Sequence, residues 1–169
     1  VTPHANLDQV DTASEADARE FLTRCCGSRA WVDRMLARRP FGSDERLASA
    51  AREVWFALPP DDWLEAFSHH PRIGDRESLR SRFPQTADLS AAEQSGVQHA
   101  SDETLDALAE GNRAYERKFG FIFLVCATGK TAGEMLALLR QRLANERHAE
   151  LQIAAAEQAK ITALRLRRL

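Results

Sequence analysis

Alanine and leucine together number 47 in this chain, while valine and isoleucine number only 10. That imbalance constrains the fold more than any single motif. Small and unbranched side chains lose little rotamer freedom in a helix, and the β-branched residues that suit a pleated surface are scarce. The composition predicts an all-α protein with no significant sheet, and the helix punctuation along the chain divides it into seven to eight helices. With 169 residues, 44% of them hydrophobic and 28% charged, one domain with one core of its own is expected.

The net charge is -2, so the chain carries no general positive field of the kind that holds a phosphate backbone, and nucleic acid is not an expected partner. Cysteine usage is equally informative. The three cysteines are an odd number, and Cys25 and Cys26 are adjacent, a spacing that suits neither a disulfide framework nor a zinc knuckle. A reducing, cytoplasmic setting is expected. The longest apolar run, Phe121 to Ala127, is about a third of the ~20 residues a membrane helix needs, so no membrane partner is expected. The opening Val-Thr-Pro-His has no signal-peptide character.

Helix punctuation divides the chain. Residues 1–13 are expected to be a loose N-terminal segment. Ser14 opens the first helix and Gly27 is expected to end it in a left-handed conformation. A short helix follows from Ser28 to about Arg38, and another from Ser43 to Leu58. A fourth has Asp61 and Asp62 in its first turn and is closed by Pro71. The stretch from Pro71 to Leu89, with Gly74 and Pro84, reads as a long functional loop with a turn of helix around Glu77 to Arg82. Ser90-x-x-Glu93 has capping-box form and predicts a helix to about Ala100. Further helices are predicted from Ser101 to Phe119, ended by Gly120; from Thr131 to about Asn145, opened by Thr131-x-x-Glu134; and from Arg147 to Leu169. Phe121 to Ala127 has strand composition but no partner strand elsewhere, which favours a buried extended segment or helix.

Several polar residues fall where apolar ones are expected. Asn112 shares a helical stripe with Leu105, Leu108, Tyr115 and Phe119, so it is expected inside, bonding either a nearby backbone group or a loop around a site. In the last helix Gln158, Thr162 and Arg165 share a face with Leu151, Ala154, Ala155 and Ile161, whereas Arg167 points the opposite way. An inward Arg165 suits an internal carboxylate, and its planar fork equally suits a substrate carboxylate or ureido oxygen.

Among the histidines, His4, His69, His70, His99 and His148, none forms the i, i+4 pair that places two ligands on one helix face, so no metal site is expected. Pro71 takes His70 off its helix and into the loop mouth. There an imidazole, able to give and take a proton near neutral pH, suits general acid–base work, although a solvated loop histidine fits the same pattern. Glu93 reads either as a capping-box carboxylate or as one member of a Ser90, Glu93 and Gln94 set presented to a ligand at a helix N-terminus.

Four segments in order carry a family resemblance: Ser-His-His-Pro-Arg-Ile-Gly-Asp at 68–75, Ser-Ala-Ala-Glu-Gln-Ser-Gly at 90–96, Asn112-x-x-Tyr115-x-x-Lys118-Phe-Gly-Phe-Ile-Phe, and Lys160-Ile-x-x-x-Arg165-Leu166. From about residue 14 to the end the chain resembles the OHCU decarboxylases, the 2-oxo-4-hydroxy-4-carboxy-5-ureidoimidazoline decarboxylases of urate breakdown. The resemblance implies an all-α homodimer that uses no metal or organic cofactor and converts the ureidoimidazoline to (S)-allantoin and carbon dioxide. It implies His70 as the catalytic histidine and Glu93 as its acidic partner. Pro71, Ser90 and Gln94 would line the pocket, Arg165 would hold the polar edge of the substrate, and Phe121, Ile122 and Phe123 would supply backbone contacts.

Two other readings differ in class. A helical ureide-binding or regulatory module would keep the pocket without turnover, and a structural helical protein would leave an inward Arg165 and the His-Pro loop without a purpose. A fused partner hydrolase is not expected in 169 residues.

Overall fold

Five short polar side chains named from the sequence as helix starts do start helices. The structure, a computed structural model, describes residues 5–75 and 86–169. Among these residues it is all-α and contains no strand. The elements are α1 (Ala5–Asp11), α2 (Glu15–Cys25), α3 (Arg29–Ala37), α4 (Asp44–Phe56), α5 (Pro60–Ser68), α6 (Ala87–Glu93), a 3₁₀ turn (Ser95–Val97), α7 (Asp102–Phe119), α8 (Ala132–Arg142) and α9 (Arg147–Arg168). Ser14, Ser28, Ser43, Ser101 and Thr131 each accept a hydrogen bond from the backbone N–H three residues on. Each such cap contributes about 1 kcal/mol. The Thr131–Glu134 box closes in both directions, and Gly120 ends α7 at φ 80°.

Four expectations are corrected. The N-terminal segment carries α1: Val10 is fully buried, and the Asp11 carboxylate accepts from Phe41 N at 2.9 Å and Gly42 N at 2.8 Å. Gly27 is not the left-handed terminator of α2, which instead ends through an extended, fully buried Cys26; with Ser28 capping the next helix, the chain turns there without a left-handed residue. Ser90 is not an N-cap. Thr86 occupies that position with no side-chain bond, and Ser90 and Glu93 are drawn into the interior along α6. The helix expected to reach Ala100 stops at Glu93 and gives way to the 3₁₀ turn, where a Cβ on Gly96 would lie 2.1 Å from the Lys130 carbonyl oxygen. That approach of backbone to backbone requires glycine. The helical turn expected around Glu77 to Arg82 lies outside the described residues.

The chain divides into two compact units, Val1–Ala66 with Ala159–Leu169, and Phe67–Gln158. In the first, Trp31 Nε1 donates to Ala51 O at 3.0 Å and so ties α3 to α4, while Trp63 Nε1 donates to Trp55 O at 2.9 Å. Cys25 and Cys26 are free, and burial pushes both thiols up to about 12, which keeps them protonated and unreactive.

The second unit is organised by Tyr115, Phe119, Phe121 and Phe123, with the Tyr115 ring meeting Phe121 and Phe123 edge-on at 5.8 and 5.4 Å. Phe121 to Ala127 is neither helix nor strand and is largely buried, as one of its two sequence readings required. Side chains satisfy its backbone: Arg142 Nη1 donates to Leu124 O at 2.7 Å, Lys130 Nζ to Cys126 O at 2.8 Å, and Cys126 N to Glu157 Oε2 at 2.7 Å. Such bonds replace the sheet ladder that a lone apolar segment lacks. Beside it lies a buried ion pair, Arg142 with Glu150, and the Tyr115 hydroxyl donates to Glu150 Oε1 at 2.5 Å. Burial and the Glu150 carboxylate push the phenol pKa up, so the donor stays protonated. Tyr115→Phe should cost about 1.5–3 kcal/mol in urea unfolding, the range for a hydrogen bond to a charged group. A loss under ~0.5 kcal/mol would mean that Arg142 and Asn145, whose Nδ2 donates to Glu150 Oε2 at 3.0 Å, satisfy Glu150 without it. Among the described residues no helix is long and apolar enough to cross a membrane.

Candidate active site

His70 stands two residues past the end of α5, where Pro71 prevents the helix from continuing. Its N–H still donates to Phe67 O at 3.1 Å. The sequence placed the imidazole off the helix, and it is off the helix. It is not in an open loop mouth, however, because the residue is only 8% exposed. Its Nε2 lies 2.7 Å from Oε1 of Gln158, itself fully buried on α9. An amide oxygen only accepts, so this contact is a hydrogen bond in the Nε2–H tautomer of the ring.

The residues after His70 are held one by one. Arg72 makes a two-point ion pair with Glu116, Nε–Oε2 at 2.8 Å and Nη2–Oε1 at 2.9 Å. Asn112 Nδ2 donates to Ile73 O at 3.0 Å, and Gly74 N donates to Gln94 Oε1 at 3.0 Å. Asn112 and Glu116 are one turn apart on α7, so a single helix face grips two consecutive residues of the histidine loop. Both readings of Asn112 therefore coincide, since the backbone group it satisfies belongs to the loop beside His70. Gly74 adopts φ +84°, which favours glycine.

Through Gln94, the C-terminal end of α6 is tied to that loop. Ser90, Glu93 and Gln94 are all buried there, and Ser90 Oγ has no hydrogen-bond partner among the described residues. The N–H groups of a helix N-terminus do not accompany the three, because they lie along and beyond the last turn of α6, so side chains rather than a helix dipole define the polarity of this corner. Burial and then the Glu157 carboxylate push the Cys126 thiol pKa up. Phe121 and Phe123 are buried in the aromatic core and Ile122 is half-buried.

Arg165 belongs to the other unit. It faces inward, as its helical stripe required, at 4% exposure, and its Nη1 donates to Arg24 O at 3.1 Å; Arg167 is exposed. Among the described residues no group of three His, Cys, Asp or Glu side chains is placed to hold a metal ion. Sequence reasoning did not name Gln158 or Glu116 as site residues. The signal for Gln158 was present, an uncharged amide on the apolar stripe of Leu151, Ala154 and Ala155; an exposed-looking Glu116 carried none.

Residues 11–167 match the family model described as OHCU decarboxylase. The chain belongs to the OHCU decarboxylase family. A family relative, the uric acid degradation bifunctional protein TTL of Arabidopsis thaliana, is 45% identical over 149 residues, which cover 86% of this chain and 45% of that one. The 2-oxo-4-hydroxy-4-carboxy-5-ureidoimidazoline decarboxylase of Xenopus laevis is 29% identical over 130 residues, covering 77% of this chain and 74% of that one. A crystal structure of an OHCU decarboxylase in the presence of (S)-allantoin superposes with TM-score 0.75 at 39% identity, covering 88% of this chain and 96% of that one. The chain spans less than half the length of the bifunctional relatives it matches.

Proposed function

We propose that this OHCU decarboxylase family member converts 2-oxo-4-hydroxy-4-carboxy-5-ureidoimidazoline to (S)-allantoin and carbon dioxide, with His70 as general acid and base and Glu93 as its acidic partner. The observation that carries this reading is the buried corner formed by the His70 loop and the end of α6, joined by the Gly74–Gln94 bond and containing a hydroxyl, Ser90 Oγ, with no partner among the described residues. An orphaned buried hydroxyl costs about 1–3 kcal/mol, a cost that a bound polar ligand offsets.

In this reading the bond from the ring carbon to the carboxylate breaks, and its electron pair moves into the adjacent C=N unit, whose nitrogen takes a proton. The hydroxyl on the same carbon then gives up its proton as the ring carbonyl forms, and the ureido-bearing carbon receives one. Carbon dioxide leaves, and one proton is taken up overall. The electron sink is within the substrate, so the step draws on no cofactor. The enzyme must align the carboxylate with the ring π system and protonate one face only. Gln94, whose amide oxygen holds Gly74 N–H, offers its NH₂ to a substrate oxygen, Ser90 and Pro71 line the pocket, and the backbone of Phe121, Ile122 and Phe123 makes further contacts. Arg165 grips a substrate oxygen pair with its fork. The working form is a cytoplasmic homodimer, a reading supported by the family resemblance and, for the compartment, by three free buried thiols.

The test is the optical activity of allantoin made from urate by urate oxidase and hydroxyisourate hydrolase. Adding the protein should give faster formation of the (S) enantiomer alone; unchanged rate and racemic product would refute the proposal, and binding without turnover would leave a ureide-binding module. Arg165→Lys should raise KM well above the effect of Arg167→Lys or Arg168→Lys, because the ammonium cannot bind two oxygens in one plane. Equal effects at all three positions would remove Arg165 from the site.

A further inference from the structure

We propose that Gln158 is the positioning residue of His70: its amide oxygen holds the imidazole as the Nε2–H tautomer in one ring plane. This rests on the acid–base role proposed above for His70. The two side chains come from elements 88 residues apart and meet at 2.7 Å, with Gln158 fully buried and His70 nearly so. The outer torsion of a histidine side chain is broad and roughly two-fold. Pro71 restrains the backbone but not that torsion. A short bond to an atom that can only accept selects one ring flip and one tautomer together.

The neutrality of the partner has a chemical consequence. A carboxylate at the same distance would favour the imidazolium, whereas an amide oxygen orients the ring and leaves it able to be neutral or charged as the reaction requires. The neighbouring Glu157 directs Oε2 to the backbone N–H of Cys126 at 2.7 Å, so successive residues of α9 bring an amide to His70 and a carboxylate to the 121–127 segment. A polar side chain at full burial on an apolar helical stripe is costly unless it is hydrogen-bonded, and the bond to His70 accounts for its presence there.

The test combines ¹⁵N NMR of ring-labelled histidine in the ligand-free protein, with the His70 signal assigned by its loss in His70→Asn, and steady-state kinetics. The parent should show the Nε2–H tautomer at His70. Gln158→Met, similar in length and apolar, should give mixed tautomers and a ~10- to 100-fold fall in kcat, the cost of a misoriented reacting group, with KM within about threefold of the parent's. Gln158→Glu, which keeps an acceptor oxygen at that position, should keep Nε2 protonated, move the loss of the second ring proton to higher pH, and recover kcat to within about tenfold of the parent's once the pH is raised past that shift. An Nδ1–H tautomer in the parent, or a folded Gln158→Met variant with parental kcat and an unchanged tautomer, would overturn the proposal. The tautomer measurement needs no turnover, so a protein lacking decarboxylase activity would defeat the functional reading while the spectra still decided whether Gln158 sets the ring.

Discussion

Replacing His70 by alanine is expected to lower turnover by about 100- to 10,000-fold, the span typical of removing a general acid or base. The control is His69→Ala, because the adjacent imidazole is exposed whereas His70 is buried. A solvated loop histidine would contribute little to packing, but His70 is buried. Losing the ring removes its hydrogen bond to the buried Gln158 Oε1, which should lower stability by about 0.5–1.5 kcal/mol. The variant should therefore melt below the parent and still be folded at assay temperature, with residual activity too low to explain by unfolding. A His69 variant that loses more activity than the His70 variant would show that the wrong imidazole has been assigned.

Glu93→Gln should cost at least ~100-fold in turnover, the lower bound for disabling one acid–base partner, with little change in melting temperature. Read as a capping-box residue, Glu93 would lose a favourable charge term on this change. In the structure it is the last residue of α6, not the fourth. There a negative charge opposes the helix dipole by about 0.3–1 kcal/mol, so its removal is neutral or slightly favourable on that account. The amide is nearly isosteric and keeps the packing of a residue 9% exposed. Stability and activity are thus expected to move independently, and parallel losses in both would mark Glu93 as structural. Retention of most activity would leave His70 to work with Ser90, Gln94 or water.

The sequence by itself determined the helices whose signals are local. Ser14, Ser28, Ser43, Ser101 and Thr131 cap them, and Gly120 ends α7, because each forms its bond within three or four residues of its own position. The 3.6-residue period also told correctly that Asn112, Gln158 and Arg165 face inward, since burial follows from the apolar neighbours on the same stripe. Ser90 and Glu93 had the same local signature as Thr131 and Glu134, yet only the second pair forms a capping box. The difference is tertiary: burial of Ser90 and Glu93 and the bond from Gly74 to Gln94 occupy the end of α6. In the same way, periodicity indicated that Gln158 points inward but carried no information about what it meets, because the His70–Gln158 and Arg142–Glu150–Tyr115 contacts join residues from separate elements. Local chemistry therefore decides where helices begin and which face is buried, while the partners of buried polar groups are decided only when distant segments pack, since each such group must find a hydrogen bond wherever the fold brings one within reach.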